Sequence, residues 1–158
     1  MEIKRSKLED YLRKSKVKMY CIDASVITNS FIEKEEHHKY SKKLLLRIKE
    51  NNTLVILPEI LIPEVASAIS RGMGDGRAAL KFTDTLRRIP NIIFIPVGSD
   101  ISNLAAKLAA EKKLRGVDSV YVAVAAVFNI KLITLDEQQK DKSKSLVEVL
   151  TPMEELNA

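Results

Sequence analysis

Residues 116–136 read GVDSVYVAVAAVFNIKLITLD, and this stretch decides the fold. Residues 119–130 carry no charged side chain, so we predict a helix that is buried on most of its faces. The apolar residues that follow predict a short strand that ends at Asp136. A buried helix followed at once by an apolar strand is typical of a parallel sheet covered by helices.

The rest of the chain repeats this alternation. Short apolar runs predict further strands at residues 17–22, 54–57, 92–95 and 147–150. Between them, helical spacing predicts four helices: around residues 37–49, from about 58 to 70, a third that ends at about 89, and one at 100–114. Pro63 should start or kink the regular part of the second helix. We therefore predict an α/β fold, a three-layer α/β/α sandwich around a mainly parallel central sheet.

The chain has 158 residues, of which 46% are hydrophobic and 30% charged, as expected for one domain with its own core. We divide it into a basic N-terminal extension at 1–17, expected to be helical, and a domain at 18–158. Residues 1–18 hold seven Lys or Arg against three Asp or Glu. This charge permits nucleic acid as a partner, but a solvated helix explains it equally well.

The sequence favours a cytoplasmic protein. Its one cysteine, Cys21, lies in an apolar run and cannot form a disulfide within the chain. No apolar stretch is long enough to span a membrane, and the charged opening residues do not resemble a signal peptide.

Four acidic residues lie where strands should end or helices begin: Asp23, Glu64, Asp118 and Asp136. Asp23 and Asp136 each follow a predicted strand directly, and ligands of such sheets gather beyond the carboxyl ends of the strands. Two carboxylates about 6 Å apart repel by roughly 3 kcal/mol at an effective dielectric of about 20. A cluster of these acids therefore needs protons or a cation, and a hard divalent ion suits oxygen ligands.

Each acid also has an ordinary structural explanation. Asp118 and Asp136 could be helix caps, Asp23 could form an Asx turn before Ser25, and Glu64 could be a solvated helix residue. Taken singly these explanations are favoured. Taken as a set the acids favour a site, because Asp118 introduces an uncharged helix and Asp136 closes an apolar strand.

Four motifs resemble those of the PIN-domain nucleases, in particular the toxin-like (VapC-type) prokaryotic members. They are DASV at 23–26, PEVASAI at 63–69, GVDSVYVAVA at 116–125 and LITLD at 132–136, and the resemblance runs from about residue 17 to 150. Two features depart from the pattern. The first eighteen residues precede the usual start, and EQQKD follows Asp136 where an aromatic residue is common.

The resemblance implies a ribonuclease that depends on one or two Mg²⁺ or Mn²⁺ ions, with all four acids in the catalytic pocket. Asp23, Asp118 and Asp136 are then the metal ligands, and Glu64 orients water from an outer position. Ser25 and Thr134 match supporting hydroxyl positions. Such ions polarise the scissile phosphate and lower the pKa of a bound water.

Basic residues near the acids are candidate phosphate contacts, and Arg115 is the one we assign to substrate binding. Lys112, Lys113 and Arg71 are weaker candidates, because basic residues in a last helical turn are favoured by the helix dipole alone. His37 and His38 are adjacent on a predicted helix and point about 100° apart, so we do not expect them to chelate one ion.

The resemblance further implies an RNA substrate, an antitoxin protein whose tail covers the pocket, and a homodimer formed through helices within residues 58–89. Three alternatives stay open. One is a PIN-like interaction domain without catalysis, and another is an RNA-processing nuclease that is not a toxin. A phosphatase with Asp23 as nucleophile fits less well, because Ser25 stands where the common motif has a second Asp.

Overall fold

The computed structural model describes residues 18–158, and the predicted extension at 1–17 lies outside the described residues. Five strands are present in this part of the chain: β1 (Met19–Ile22), β2 (Leu54–Pro58), β3 (Ile92–Ile95), β4 (Lys131–Ile133) and β5 (Val149–Leu150). The helices are α1 (Ala24–Phe31), α2 (His38–Glu50), α3 (Leu61–Met73), α4 (Gly76–Arg87), α5 (Ser99–Lys112), α6 (Gly116–Phe128), α7 (Glu137–Ser143) and α8 (Pro152–Asn157).

All the strands pair in parallel, in the order β3-β2-β1-β4-β5. The chain builds outward from β1 through β2 to β3 and then returns to the other side of β1 for β4 and β5. The strand order therefore reverses between β1 and β4, and the loops that leave these two strands diverge there. This reversal creates a crevice at the carboxyl ends of β1 and β4.

Helix α6 lies in the core, as its uncharged sequence predicts. It packs against β1, β2 and β4, and α5 packs beside it. Its side chains from Tyr121 to Ala125 are all fully buried. The predicted three-layer α/β/α architecture is confirmed.

Several elements differ from the predicted ones. Strand β4 ends at Ile133, so Asp136 lies three residues beyond it and does not follow it directly as predicted. Helix α1 was not predicted, and it begins directly after Asp23, which caps it. Helix α3 begins at Leu61, so Pro63 occupies its third position, where a missing N–H costs no helical hydrogen bond. Helix α8 was also not predicted, and it begins with a capping box between Thr151 and Glu154.

A buried carboxylate attaches α8 to the edge of the sheet opposite the crevice. Glu155 is 0% exposed and accepts hydrogen bonds from the Tyr20 hydroxyl at 2.6 Å and from Lys131 Nζ at 3.2 Å. Arg47 lies 3.5 Å from the same carboxylate and also donates to the Glu155 carbonyl at 2.8 Å. These contacts join α8, β1, β4 and α2.

None of the helices within residues 18–158 is long and apolar enough to cross a membrane.

Candidate active site

The four predicted acids line one open cleft of about 930 Å³ at the carboxyl ends of β1 and β4. Each comes from the start of a different helix: Asp23 precedes α1, Glu64 lies in the first turn of α3, Asp118 in the first turn of α6, and Asp136 precedes α7. The cleft therefore lies at the reversal of strand order, where ligands of open α/β sheets bind.

Asp23 is buried and caps α1. Its Oδ2 accepts a hydrogen bond from the Ser25 N–H at 2.9 Å, and its own N–H donates to the Ile133 carbonyl at 2.9 Å. Only 6% of the residue is exposed, and this burial raises the pKa of its carboxyl, although the hydrogen bonds from Ser25 oppose the shift. The negative charges of Asp118 and Asp136 raise the pKa further. Asp23 is thus both the cap of α1 and one of the acids that line the cleft.

Asp136 caps α7, since its Oδ1 accepts from the Gln139 N–H at 2.9 Å. The two predicted hydroxyls hold the turn on which it lies. Thr134 Oγ1 accepts from the Asp136 N–H at 3.0 Å, and Ser25 Oγ accepts from the Leu135 N–H at 3.2 Å. Ser25 and Thr134 therefore act on the backbone that carries Asp136.

Asp118 is the third residue of α6 and not its cap, because the N-cap is Arg115. The Arg115 guanidinium donates to Asp118 Oδ2 at 2.7 Å and also to Asp136 Oδ2. The hydrogen bond and charge of Asp118, with the charge of Asp136, raise the pKa of Arg115. We predicted Arg115 as a phosphate contact, but in the structure its partners are the two carboxylates, although 72% of its side chain is exposed.

Glu64 is held by Tyr121, which lies in the uncharged stretch that we predicted only as a buried helix. The Tyr121 hydroxyl donates to Glu64 Oε2 at 2.5 Å, and Tyr121 is 0% exposed. Burial raises the pKa of Glu64, the hydrogen bond from Tyr121 lowers it, and the charges of Asp23 and Asp118 raise it again. Glu64 is thus not a freely solvated helix residue.

A sequence signal for Tyr121 was present. It lies three residues after Asp118, so both side chains are on the same face of α6. A buried tyrosine hydroxyl also needs a hydrogen-bonding partner, and its neighbours in the sequence are valines and alanines that offer none.

Within residues 18–158, no three His, Cys, Asp or Glu side chains converge closely enough to hold a metal ion as they stand. Two of the three expected ligands, Asp118 and Asp136, are instead bridged by the guanidinium of Arg115. The donors nevertheless fit a hard divalent cation, since they are all carboxylates and already attract a cationic group. Movement of the exposed Arg115 side chain would free Asp118 and Asp136 to join Asp23 as ligands.

The remainder of the cleft extends past α1 and α3 and carries several polar side chains among apolar ones. His37 and Arg71 line it, and Arg71 donates to Ser67 Oγ at 2.6 Å. Thr28 and Asn29 line the same part, and Thr28 Oγ1 and Asn29 Oδ1 are buried with no hydrogen-bonding partner among the described residues.

The other predicted basic and acidic candidates point elsewhere. Lys112 donates to Ser145 Oγ at 3.4 Å, and the Lys113 carbonyl accepts from Lys142, so this segment contacts the end of α7 and its following loop. Glu137 and Asp141, which follow Asp136 closely in the sequence, are exposed residues of α7, and Asp141 pairs with Lys144.

The sequence model of a family described as PIN domain matches residues 20–145. The match contains all four acids of the cleft together with Arg115 and Tyr121. No curated protein sequence matches the chain at a significant level.

Solved structures share the fold at low sequence identity. The VapC20 toxin of Mycobacterium tuberculosis, described as cleaving the sarcin-ricin loop, is 18% identical with a TM-score of 0.66, over 82% of this chain and 98% of that one. A chain of VapBC2 from Rickettsia felis is 11% identical with a TM-score of 0.61, over 84% and 98%. PAE2754 from Pyrobaculum aerophilum is 19% identical with a TM-score of 0.63, over 89% and 93%.

Proposed function

This chain belongs to the PIN domain family, and we propose that it is a metal-dependent endoribonuclease whose active site is the cleft formed by Asp23, Glu64, Asp118 and Asp136. The observation that carries the proposal is the meeting of four carboxylates from the starts of four helices at the reversal of strand order. Carboxylates this close together repel each other and lower the stability of the folded protein unless they bind a cation.

In this proposal Asp23, Asp118 and Asp136 hold one or two Mg²⁺ or Mn²⁺ ions, and Glu64 orients a water molecule from the side of α3. When bound, the ions supply charge neutralisation at the scissile phosphate and a water of lowered pKa. The protein contributes rigid placement. Two ligands are fixed by their own capping bonds, and Asp118 and Glu64 lie on helices of the core.

Arg115 has a second position in this proposal. Once a cation takes over Asp118 and Asp136, the guanidinium is released beside the cleft, where it can donate two parallel hydrogen bonds to a phosphate. Arg71 and His37 line the far part of the cleft and support the entry of a polyanionic chain. The proposal thus keeps Arg115 as a substrate contact, on the condition that it first leaves Asp118 and Asp136.

RNA is the substrate we propose, and an antitoxin protein is the partner. The support comes from relatives, one of them titled as a toxin that cleaves the sarcin-ricin loop and another as a VapBC2 complex bound to promoter DNA. A complex from Klebsiella pneumoniae with the same fold is titled as toxin–antitoxin. The exposed apolar side chains of Met73 on α3 and Leu80 on α4 support the homodimer that we predicted through these helices.

One observation favours a rival function. The pairing of Arg115 with two of the acids satisfies them without any ion, as expected in a PIN-like interaction domain that has no catalysis. A cation titration separates the two functions, because a nuclease must bind Mn²⁺ in the cleft and an interaction domain need not.

The test is cleavage of a mixed pool of structured and unstructured RNA with Mg²⁺ or Mn²⁺, with and without chelator. Asp118→Asn is compared with Asp100→Asn, a matched control that removes an exposed acid from the first turn of α5, outside the cleft. We expect chelator and Asp118→Asn to abolish cleavage and Asp100→Asn to leave it unchanged. Cleavage that survives both the chelator and Asp118→Asn would contradict the proposal.

A further inference from the structure

Two tyrosines of the core donate hydrogen bonds to glutamates, one at each end of the sheet. Tyr121 is 0% exposed and donates to Glu64 at 2.5 Å on the side of the cleft. Tyr20 is 3% exposed and donates to Glu155 at 2.6 Å on the opposite side. The two tyrosines are alike in burial and in hydrogen-bond distance, but Glu155 is fully buried, Glu64 is only half-buried, and their surroundings differ.

The difference lies in what else holds each glutamate. Glu155 is also contacted by Lys131, Arg47 and Lys18 and is neutralised by them. Within the described part of the chain Glu64 forms no ion pair, although the charge of Arg115 lowers the pKa of its carboxyl. Among residues 18–158, Tyr121 is the only side chain that donates a hydrogen bond to it. The neighbouring carboxylates of Asp23 and Asp118 repel it, so without Tyr121 its side chain would turn toward solvent.

We propose that Tyr121 is a positioning residue of the active site, whose hydroxyl fixes Glu64 so that its second carboxylate oxygen is presented to the cleft. Glu64 Oε2 is taken by the phenol, and Oε1 has no donor among the described residues. The oxygen left for a cation-bound water is therefore Oε1.

The position of Tyr121 on α6 extends this role. Tyr121 lies one helical turn after Asp118, and the side chains that follow it are fully buried against the sheet. A rigid helix thus sets the place of Asp118 directly and that of Glu64 through one hydrogen bond. Acids from α3 and α6 are held in fixed relation although the two helices are far apart in sequence.

This inference rests on the proposed function, because it assigns Tyr121 to the same cation-dependent site. Partners that orient the groups around a metal typically change metal affinity or activity by about 10- to 100-fold when they are removed. We expect a loss of this size, in Mn²⁺ affinity, in cleavage rate, or in both, when the hydroxyl of Tyr121 is deleted.

The experiment uses Tyr121→Phe in the full chain, with Tyr20→Phe as the matched control. Each variant deletes one buried phenol hydroxyl that donates to a glutamate, so thermal melting should report folded proteins with similar small losses of stability. Calorimetric titration with Mn²⁺ and the initial rate of cleavage of the RNA pool at saturating Mn²⁺ are then compared. We expect one or both to fall at least tenfold for Tyr121→Phe and neither to change for Tyr20→Phe.

A double-mutant cycle with Glu64→Ala tests whether Tyr121 acts through Glu64. If it does, Tyr121→Phe has no further effect on Mn²⁺ affinity or cleavage once Glu64 is gone. Additive losses would overturn the inference, as would equal behaviour of Tyr121→Phe and Tyr20→Phe in a parent that binds Mn²⁺ and cleaves. A parent that neither binds Mn²⁺ nor cleaves RNA would overturn the proposed function itself, and this inference with it.

Discussion

Replacing Asp23 by Asn should make the metal-free protein more stable. The side chain is 6% exposed, and its charge is close enough to Asp118 and Asp136 for their charges to raise its pKa. It also caps α1 by accepting from the Ser25 N–H. Asn caps about as well as Asp, so Asp23→Asn removes the buried charge and keeps the cap.

The expected gain is on the order of 1 kcal/mol in the free energy of unfolding. Two carboxylates about 6 Å apart repel by roughly 3 kcal/mol at an effective dielectric of about 20, and the positive charge of Arg115 offsets much of this. For a chain of this size, 1 kcal/mol corresponds to a rise of about 2–4 °C in Tm. Asp23→Ala loses the cap as well, which costs about 1 kcal/mol, so it should be close to the parent.

The sign of the pH dependence follows from the raised pKa of Asp23. A carboxyl whose pKa is higher in the folded state favours folding while it is protonated, and this contribution is lost as the pH rises through the folded pKa. The advantage of Asp23→Asn over the parent should therefore be absent below the ordinary value of 3.8 and grow as the pH rises above it.

Urea unfolding in the presence of chelator, from pH 4.5 to 7.5, measures this difference. Asp100→Asn, which removes an exposed acid, serves as the control and should follow the parent. Saturating Mn²⁺ should reverse the order, because a ligand that binds only the folded state stabilises the parent more than a variant with a weakened site. A loss of 1 kcal/mol or more in Asp23→Asn with chelator would refute the reasoning and make Asp23 a structural acid.

Two further substitutions test the charges at the two ends of the sheet. Arg115→Ala should tighten Mn²⁺ binding roughly fivefold, which is equivalent to about 1 kcal/mol, a usual size for an ion pair as exposed as Arg115–Asp118. Calorimetry measures the affinity, and Arg71→Ala in the same cleft is the control. Weaker binding in Arg115→Ala would show that the arginine assists the cation. Glu155→Ala should lower the free energy of unfolding by about 2 kcal/mol in urea, because it leaves the buried Tyr20 hydroxyl without its partner and removes the charge that pairs with the partly exposed Lys131 and Arg47, with little effect on Mn²⁺ affinity. Glu148→Ala, which removes an exposed partner of Lys131, should cost much less, and equal losses would contradict the assigned role of Glu155.

The strands and the buried helix could be predicted because their apolar sequences are compatible with only one kind of structure. Residues 92–95 form β3 with the predicted bounds, and the uncharged run after Asp118 is buried as α6. Helix α1 was missed because eight residues with mixed polar and apolar side chains carry a weak helical pattern, and its start depends on the cap by Asp23. Helix α8 was missed although the capping-box spacing of Thr151 and Glu154 marks its start, because its six residues are too few for a helical pattern and it is held by contacts of Glu155 with the distant β1 and β4.

The acids of the cleft could be named from the sequence, but their partners could not. Capping by Asp136 was among the alternatives, and the structure shows the cap as well as the cleft. The pairing of Arg115 with Asp136 spans 21 residues and requires the loop after β4 to lie against the start of α6. Tyr121 and Glu64 are 57 residues apart, and only the packing of α3 near α6 brings them together.

The capping and catalytic explanations of these acids are physically linked. Each of the four carboxylates lies at the cap or in the first turn of a different helix, so four positive helix ends face one cleft. With about half an elementary charge at each end, the helices offset roughly half of the four negative charges, and Arg115 offsets about one more. The cleft is then close to one negative charge with Arg115 in place and about two without it. A net charge of about two negative units matches the charge of a divalent cation. We therefore expect displacement of Arg115 to make the cleft selective for a divalent cation.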